Sequence, residues 1–94
     1  MVTAIILITV EQGLVPEVAE ALMQVPGIAE AYSVAGDYDL VAIVRVRQHE
    51  ALAELVTANL QRITGITSTN TLIAFRAYSA KDLAAMWEIG LEGE

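Results

Sequence analysis

The sequence predicts an α+β fold of the ferredoxin-like βαββαβ type, with a four-stranded antiparallel sheet and a short C-terminal helix. Three observations predict it: four runs rich in β-branched residues, two intervening stretches with helical apolar spacing, and a glycine turn joining the middle two runs directly. Residues 3–10, TAIILITV, form the first strand. Ile5 and Leu7 point one way along it while Ile6, Ile8 and Val10 point the other. Both faces are apolar, which places this strand in the centre of the sheet. Gly13 marks the loop that follows. Pro16 suits a first helical turn, where no N–H is needed, and Val15, Val18, Ala19, Leu22 and Val25 keep helical spacing until Pro26 and Gly27 end it.

Residues 28–34 give a second strand, more polar and expected at a sheet edge; residues 40–47 give a third, and the Gly36 turn makes the two a hairpin. His49 and Glu50 open a second helix with a buried stripe of Leu52, Leu55, Val56, Leu60 and Ile63, stopped by Gly65. The last strand, residues 66–75, is hydroxyl-rich at Thr67, Ser68, Thr69 and Thr71 and apolar at Leu72, Ile73 and Phe75. Ser79 with Asp82 resembles a capping box, and Leu83, Met86, Trp87 and Leu91 give a short third helix its apolar face. Strand, helix, strand occurs twice, a weak internal repeat.

At 94 residues the chain is one domain, small enough to bury only roughly 60–65% of its unfolded surface. Its hydrophobic share is 55%, against about 45–50% in an ordinary soluble domain, and the excess needs cover. Right-handed crossovers put both helices on one side of the sheet. The other side then carries part of the first strand and one set from the third, either Val41 and Ile43 or Leu40, Ala42, Val44 and Val46. Either set is apolar, so the bare face is expected to pack on a second copy as a homodimer, a dimeric α+β barrel. A net charge of −7, with only Arg45, Arg47, Arg62, Arg76 and Lys81 basic, argues against direct binding of nucleic acid. No apolar run reaches the ~18 residues of a membrane span and no basic n-region leads the chain, so a cytoplasmic location is expected. The absence of cysteine removes disulfide and thiolate chemistry.

The segment VAGDYDLVAIVRV, residues 34–46, carries the most chemistry. Gly36 accepts positive φ, freeing backbone N–H groups to face an anion, while Asp37 and Asp39 offer acceptors to a cation. Such a bend suits a zwitterion; a hairpin turn whose carboxylates serve local backbone is the alternative.

Taken together, the opening TAIILITV, the helix ending in VPGI, the hairpin AYSVAGDYDLVAIVRV and the strand GITSTNTLIAF resemble the effector-binding (RAM) domain of the leucine-responsive regulatory protein and AsnC family. The resemblance spans most of the chain and implies a regulatory module that binds a small molecule, usually an amino acid, near the loop between the second and third strands. Matched onto this sequence, that loop supplies Gly36, Asp37, Tyr38 and Asp39, and Ser68, Thr69 and Thr71 form a second group. Backbone N–H groups near Gly36 with Thr69 or Thr71 would take the carboxylate, Asp37 or Asp39 the ammonium, and Tyr32 and Tyr38 would line the side-chain pocket or serve as interface aromatics. Full regulators carry an upstream helix-turn-helix domain, whereas this sequence starts at the first strand. Residues 1–94 are therefore expected to be a single stand-alone RAM-type domain that assembles as dimers, with higher assemblies and full-length regulators as further partners. No cofactor or metal is expected.

The same architecture hosts small monooxygenases and isomerases, so a small dimeric α+β barrel enzyme is the second reading. The side chains argue against it. His49 is the one histidine and stands at a helix start, and Asp37 and Asp39 alternate along the chain, a poor acid–base pair.

Overall fold

The computed structural model describes residues 1–80. Its order is β1 (Val2–Val10), α1 (Val15–Met23), β2 (Ile28–Ser33), β3 (Leu40–Val46), α2 (His49–Glu54) and β4 (Ile66–Ala74). The four strands form one antiparallel sheet in the order β2-β3-β1-β4, the expected split βαβ arrangement, with β1 central and β2 at an edge. The third helix expected from Ser79, with Leu83, Met86, Trp87 and Leu91, lies outside the described residues.

Both helices lie on one face. Ala4, Ile6 and Ile8 of β1 and Leu40, Ala42 and Val44 of β3 are buried together with Val18 and Leu22 of α1 and with Leu52, Leu55 and Leu60 of the second helical stretch. Pairing decides which set of β3 turns to the helices: Ile6 stands opposite Ala42 and Ile8 opposite Leu40. Val41 and Ile43, opposite Leu7 and Ile5, therefore share the other face, and Leu72 of β4, paired with Ile5, joins them while 47% exposed. No described helix covers that side. The helix face is also incomplete at β4, where Ile73, paired with Ala4, stays half-exposed.

Pro16 falls in the first turn of α1, and the helix closes through Val25 N–H donating to the Leu22 carbonyl at 3.1 Å. The second helical stretch departs from the expected regular helix. After Glu54 it widens into a π turn over Leu55–Asn59 and tightens into a 3-10 turn over Leu60–Arg62. At the widening, the Thr57 hydroxyl donates to the Ala53 carbonyl at 2.7 Å, a side-chain bond that competes with the backbone ladder and was invisible to apolar spacing. Val56 and Ile63 consequently pack only at the margin of the core. β4 ends one residue short of expectation, and Phe75 is 95% exposed.

Gly27 fixes the entry into β2. Its φ is +101°, its carbonyl accepts the Arg45 N–H at 2.8 Å, and a Cβ there would stand 2.8 Å from Val46 Cγ1. Gly27→Ala should therefore cost about 1–3 kcal/mol, read as a lower urea midpoint with an unchanged slope.

Candidate functional site

The loop joining β2 to β3 is fastened to the central strand by its last residue. Val34 N–H donates to the Asp39 carbonyl at 3.1 Å and Asp39 N–H to the Ile8 carbonyl at 2.9 Å, extending the β1–β3 ladder by one step. Beyond that step the chain turns away from β1. Asp39 Oδ2 supplies the missing acceptor, taking the Val10 N–H at 2.8 Å in a part-buried setting. One carboxylate oxygen of Asp39 thus serves the fold. Asp37 is exposed, and Gly36, at φ +125° with no other group within 4 Å of a built Cβ, leaves the backbone open to solvent.

Tyr38 leaves the loop half-buried, and its hydroxyl lies 3.5 Å from Asn70 Nδ2. Asn70 is paired with Leu7, so this contact reaches the uncovered face of the sheet. Asn70 is the residue that sequence reasoning passed over. It sits within the flagged hydroxyl run, but only the strand register shows that it faces the loop.

Alternation divides that run. Thr69 and Thr71 pair with Ile8 and Ile6 and take the helix side, whereas Ser68 pairs with Thr9 on the open side. The register of β1 against β4 shifts between Thr9 and Val10, leaving Thr67 as an extra residue beside Ser68. The bulge gathers hydroxyls: Thr9 Oγ1 lies 2.7 Å from Thr67 Oγ1 and also hydrogen-bonds Ser68 Oγ.

Tyr32 belongs to neither group. It stands on β2, opposite Val41 and on the open face, three strand spacings or ~14 Å from β4. Its hydroxyl donates to Glu30 Oε2 at 2.6 Å; that hydrogen bond, and then the Glu30 charge, hold the phenol above its ordinary pKa. Glu30 lies 3.9 Å from Arg45 in an exposed ion pair. One protomer therefore brings Tyr38 and Asp39 to the end of the sheet that holds Asn70 and Val10, leaves Gly36 and Asp37 exposed in the loop, and places Tyr32 on the edge strand beside that loop, three strands from β4.

On the helix side of the same end, a groove of about 420 Å³ opens between the π and 3-10 turns and the start of β4. Its floor is Val56, Leu60, Ile63 and Ile66. Gln61 and residues 67–69 form its rim. His49 opens α2 and is exposed, and no group of three His, Cys, Asp or Glu residues suited to a metal ion occurs among the described residues.

Residues 3–83 match the family model of the Lrp/AsnC ligand binding domain. The chain belongs to the Lrp/AsnC family. Among solved structures, TTHA0845 from Thermus thermophilus is 44% identical with a TM-score of 0.79, the alignment covering 84% of this chain and 99% of that one. AsnC of E. coli is 28% identical at a TM-score of 0.78, over 83% of this chain and 53% of AsnC. The HTH-type transcriptional regulator FL11 of Pyrococcus furiosus is 35% identical over 77 residues, 82% of this chain and 50% of FL11. The chain spans about half the length or less of the curated relatives it matches, which are named transcriptional regulators. A regulator from Neisseria meningitidis, solved as a complex with L-methionine, shares the Lrp/AsnC fold at 14% identity and a TM-score of 0.75.

Because Asp39 closes the ladder at Val10, Asp39→Ala strands a part-buried N–H and should destabilise the domain by about 1–3 kcal/mol in thermal denaturation. Asp37→Ala, on an exposed side chain, should leave stability within about 0.5 kcal/mol of the parent.

Proposed function

We propose that this Lrp/AsnC domain is a regulatory module that binds an amino acid at the loop end of its sheet and assembles as a homodimer through the uncovered sheet face. The observation that carries the reading is the match of residues 3–83 to a ligand-binding domain. The chemistry at the loop end supports the ligand class. An amino acid presents a carboxylate, which seeks N–H and hydroxyl donors, and an ammonium, which seeks acceptors. Exposed backbone around Gly36, the carboxylate of Asp37, the phenol of Tyr38 and the hydroxyls near Ser68 supply both kinds within one end of the sheet. Thr69 and Thr71, also expected to take the carboxylate, point to the helix side of β4, the opposite face of the sheet from Tyr38 and Ser68, and do not join this donor set.

The dimer follows from the apolar count on the open face. Ile5, Leu7, Val41, Ile43 and Leu72 lie together without cover from any described helix, and a lasting soluble monomer rarely shows such a surface. A second copy offers the same patch in return, the self-complementary contact of a two-fold pair. Further association of dimers, and association with full-length regulators of the kind named among the relatives, extends the same reading.

A thermal-shift panel of the common amino acids, L-methionine included, tests the ligand. A binder at ~100 times its dissociation constant should add about 2.7 kcal/mol, and Asp37→Ala should reduce that gain with the unliganded midpoint unchanged. Silence across the panel at millimolar concentration would refute the amino-acid reading. For the dimer, sedimentation equilibrium should give twice the chain mass for the parent, and Ile43→Glu should drive it toward the monomer by setting like charges in the apolar contact. A parent protein that sediments as one chain at tens of micromolar would refute the dimer.

A further inference from the structure

We infer that the end of the sheet opposite the Gly36 loop holds a second site, one that takes the phosphate group of a small phosphomonoester. A pocket of about 300 Å³ opens there, lined by Thr3 of β1, Arg45 of β3, Ala74 of β4 and the segment 75–77 that follows β4. Strand register builds its floor, since Thr3 stands opposite Arg45 on one side and opposite Ala74 on the other. Ile5 is paired in the same way with Ile43 and Leu72, so the Thr3 row lies on the open face, one pleat repeat or ~6.6 Å past the apolar patch. The pocket adjoins the patch proposed for the dimer without belonging to it. From Thr3 to Val10, where Asp39 is tied, β1 runs roughly 23 Å, which separates this pocket from the loop end.

Charge singles the pocket out. The chain has 12 acidic residues and 5 basic ones, yet two arginines and no carboxylate line this space. Arg45 arrives from β3 and Arg76 from beyond the last ladder position of β4, so strand order rather than sequence spacing brings them together. Each guanidinium is a planar fork of N–H donors that grips an oxyanion at two points. A carboxylate has two oxygens and is served by one fork. A phosphomonoester presents three terminal oxygens and about −1.5 to −2 charges at pH 7, which occupies both forks and the Thr3 hydroxyl. The volume exceeds what a phosphate fills and leaves room for the organic part beside Ala74 and Phe75. Glu30 is the one competitor recorded for Arg45, at 3.9 Å, in a pair whose side chains are both about half exposed. Such a pair is screened by water and weak, and a dianion gripped by two forks displaces it.

The test is a calorimetric titration of the full chain with glycerol 3-phosphate, with acetate at equal ionic strength as the control, paired with NMR of the arginine side-chain N–H signals. Glycerol 3-phosphate should bind at least ~10-fold more tightly than acetate, and the signals of Arg45 and Arg76 should move together while that of Arg62 stays still. Arg45→Gln and Arg76→Gln should each weaken binding on the order of tenfold, the loss of one charge-assisted contact. Glu30→Gln should tighten it severalfold by releasing Arg45 from its competitor, an effect that a purely structural role for the arginines would not produce. Should Arg45→Gln fail to fold, Arg76→Gln, outside the sheet, carries the test. Acetate binding as tightly as glycerol 3-phosphate, unchanged affinity in folded Arg76→Gln, no gain in Glu30→Gln, or no binding of glycerol 3-phosphate at millimolar concentration would overturn the site. None of these outcomes bears on the amino-acid reading, whose residues lie at the other end of β1.

Discussion

The position of β1 governs this molecule. Its neighbours are β3 and β4, and it is apolar toward both faces, with Ala4, Ile6 and Ile8 buried under the helices and Ile5 and Leu7 on the other side. A strand of that kind needs cover above and below. The βαββαβ order supplies helices to one face alone, because each crossover returns on the same hand. The unmet requirement on the second face is what the proposed association would satisfy.

Strand and helix identities were legible because β-branched runs and helical spacing are local signals, and Pro16, Pro26, Gly27 and Gly65 punctuate them. Which face of β3 turns inward was not. Leu40, Ala42 and Val44 are as apolar as Val41 and Ile43, so composition could not choose, and the choice came from the register of β3 against β1. The same limit applied at β4. Four hydroxyl residues in five positions read as one polar patch, yet alternation sends Thr69 and Thr71 to the helix side while the bulge turns Thr67 and Ser68 toward Thr9. The role of Asp39 was also hidden, since an acidic residue after a glycine turn reads equally as a ligand group or a backbone partner. Only long-range pairing reveals the Val10 N–H that it satisfies. Tyr32, grouped with the site by resemblance, stands across the sheet from β4, a separation that depends on strand order and not on spacing along the chain.

The two edges of the sheet are treated differently, and the difference bears on assembly. β2 is short, carries Glu30 and is interrupted by a register shift between Ile28 and Glu30. Those features blunt an edge against further pairing. β4 runs nine residues, Ile66–Ala74, without a charge or a proline, and its helix side is only partly covered. The likeness to AsnC, at 28% identity and a TM-score of 0.78, shows how far side chains vary while this backbone persists. In the proposed reading, function within such a fold resides in the groups at the end of the sheet rather than in the sheet itself.

In the proposed dimer, effector and assembly share a surface. Tyr38 comes from the loop that holds Gly36 and Asp37, yet its hydroxyl approaches Asn70 on the face that a second copy would cover. Asp39, one residue on, ties the same loop to Val10 at the end of β1. A ligand that orders residues 35–39 therefore acts on a segment anchored both to the core strand and to the open face. Linkage then sets the direction: a ligand that prefers the associated form strengthens association by the same factor that association strengthens its binding. The magnitude is bounded by the difference in affinity between the two forms, so a loop with equal affinity in monomer and dimer would transmit nothing. The short path from Gly36 through Tyr38 to Asn70 makes such a difference physically available, because moving the phenol changes the surface that the second copy must fit.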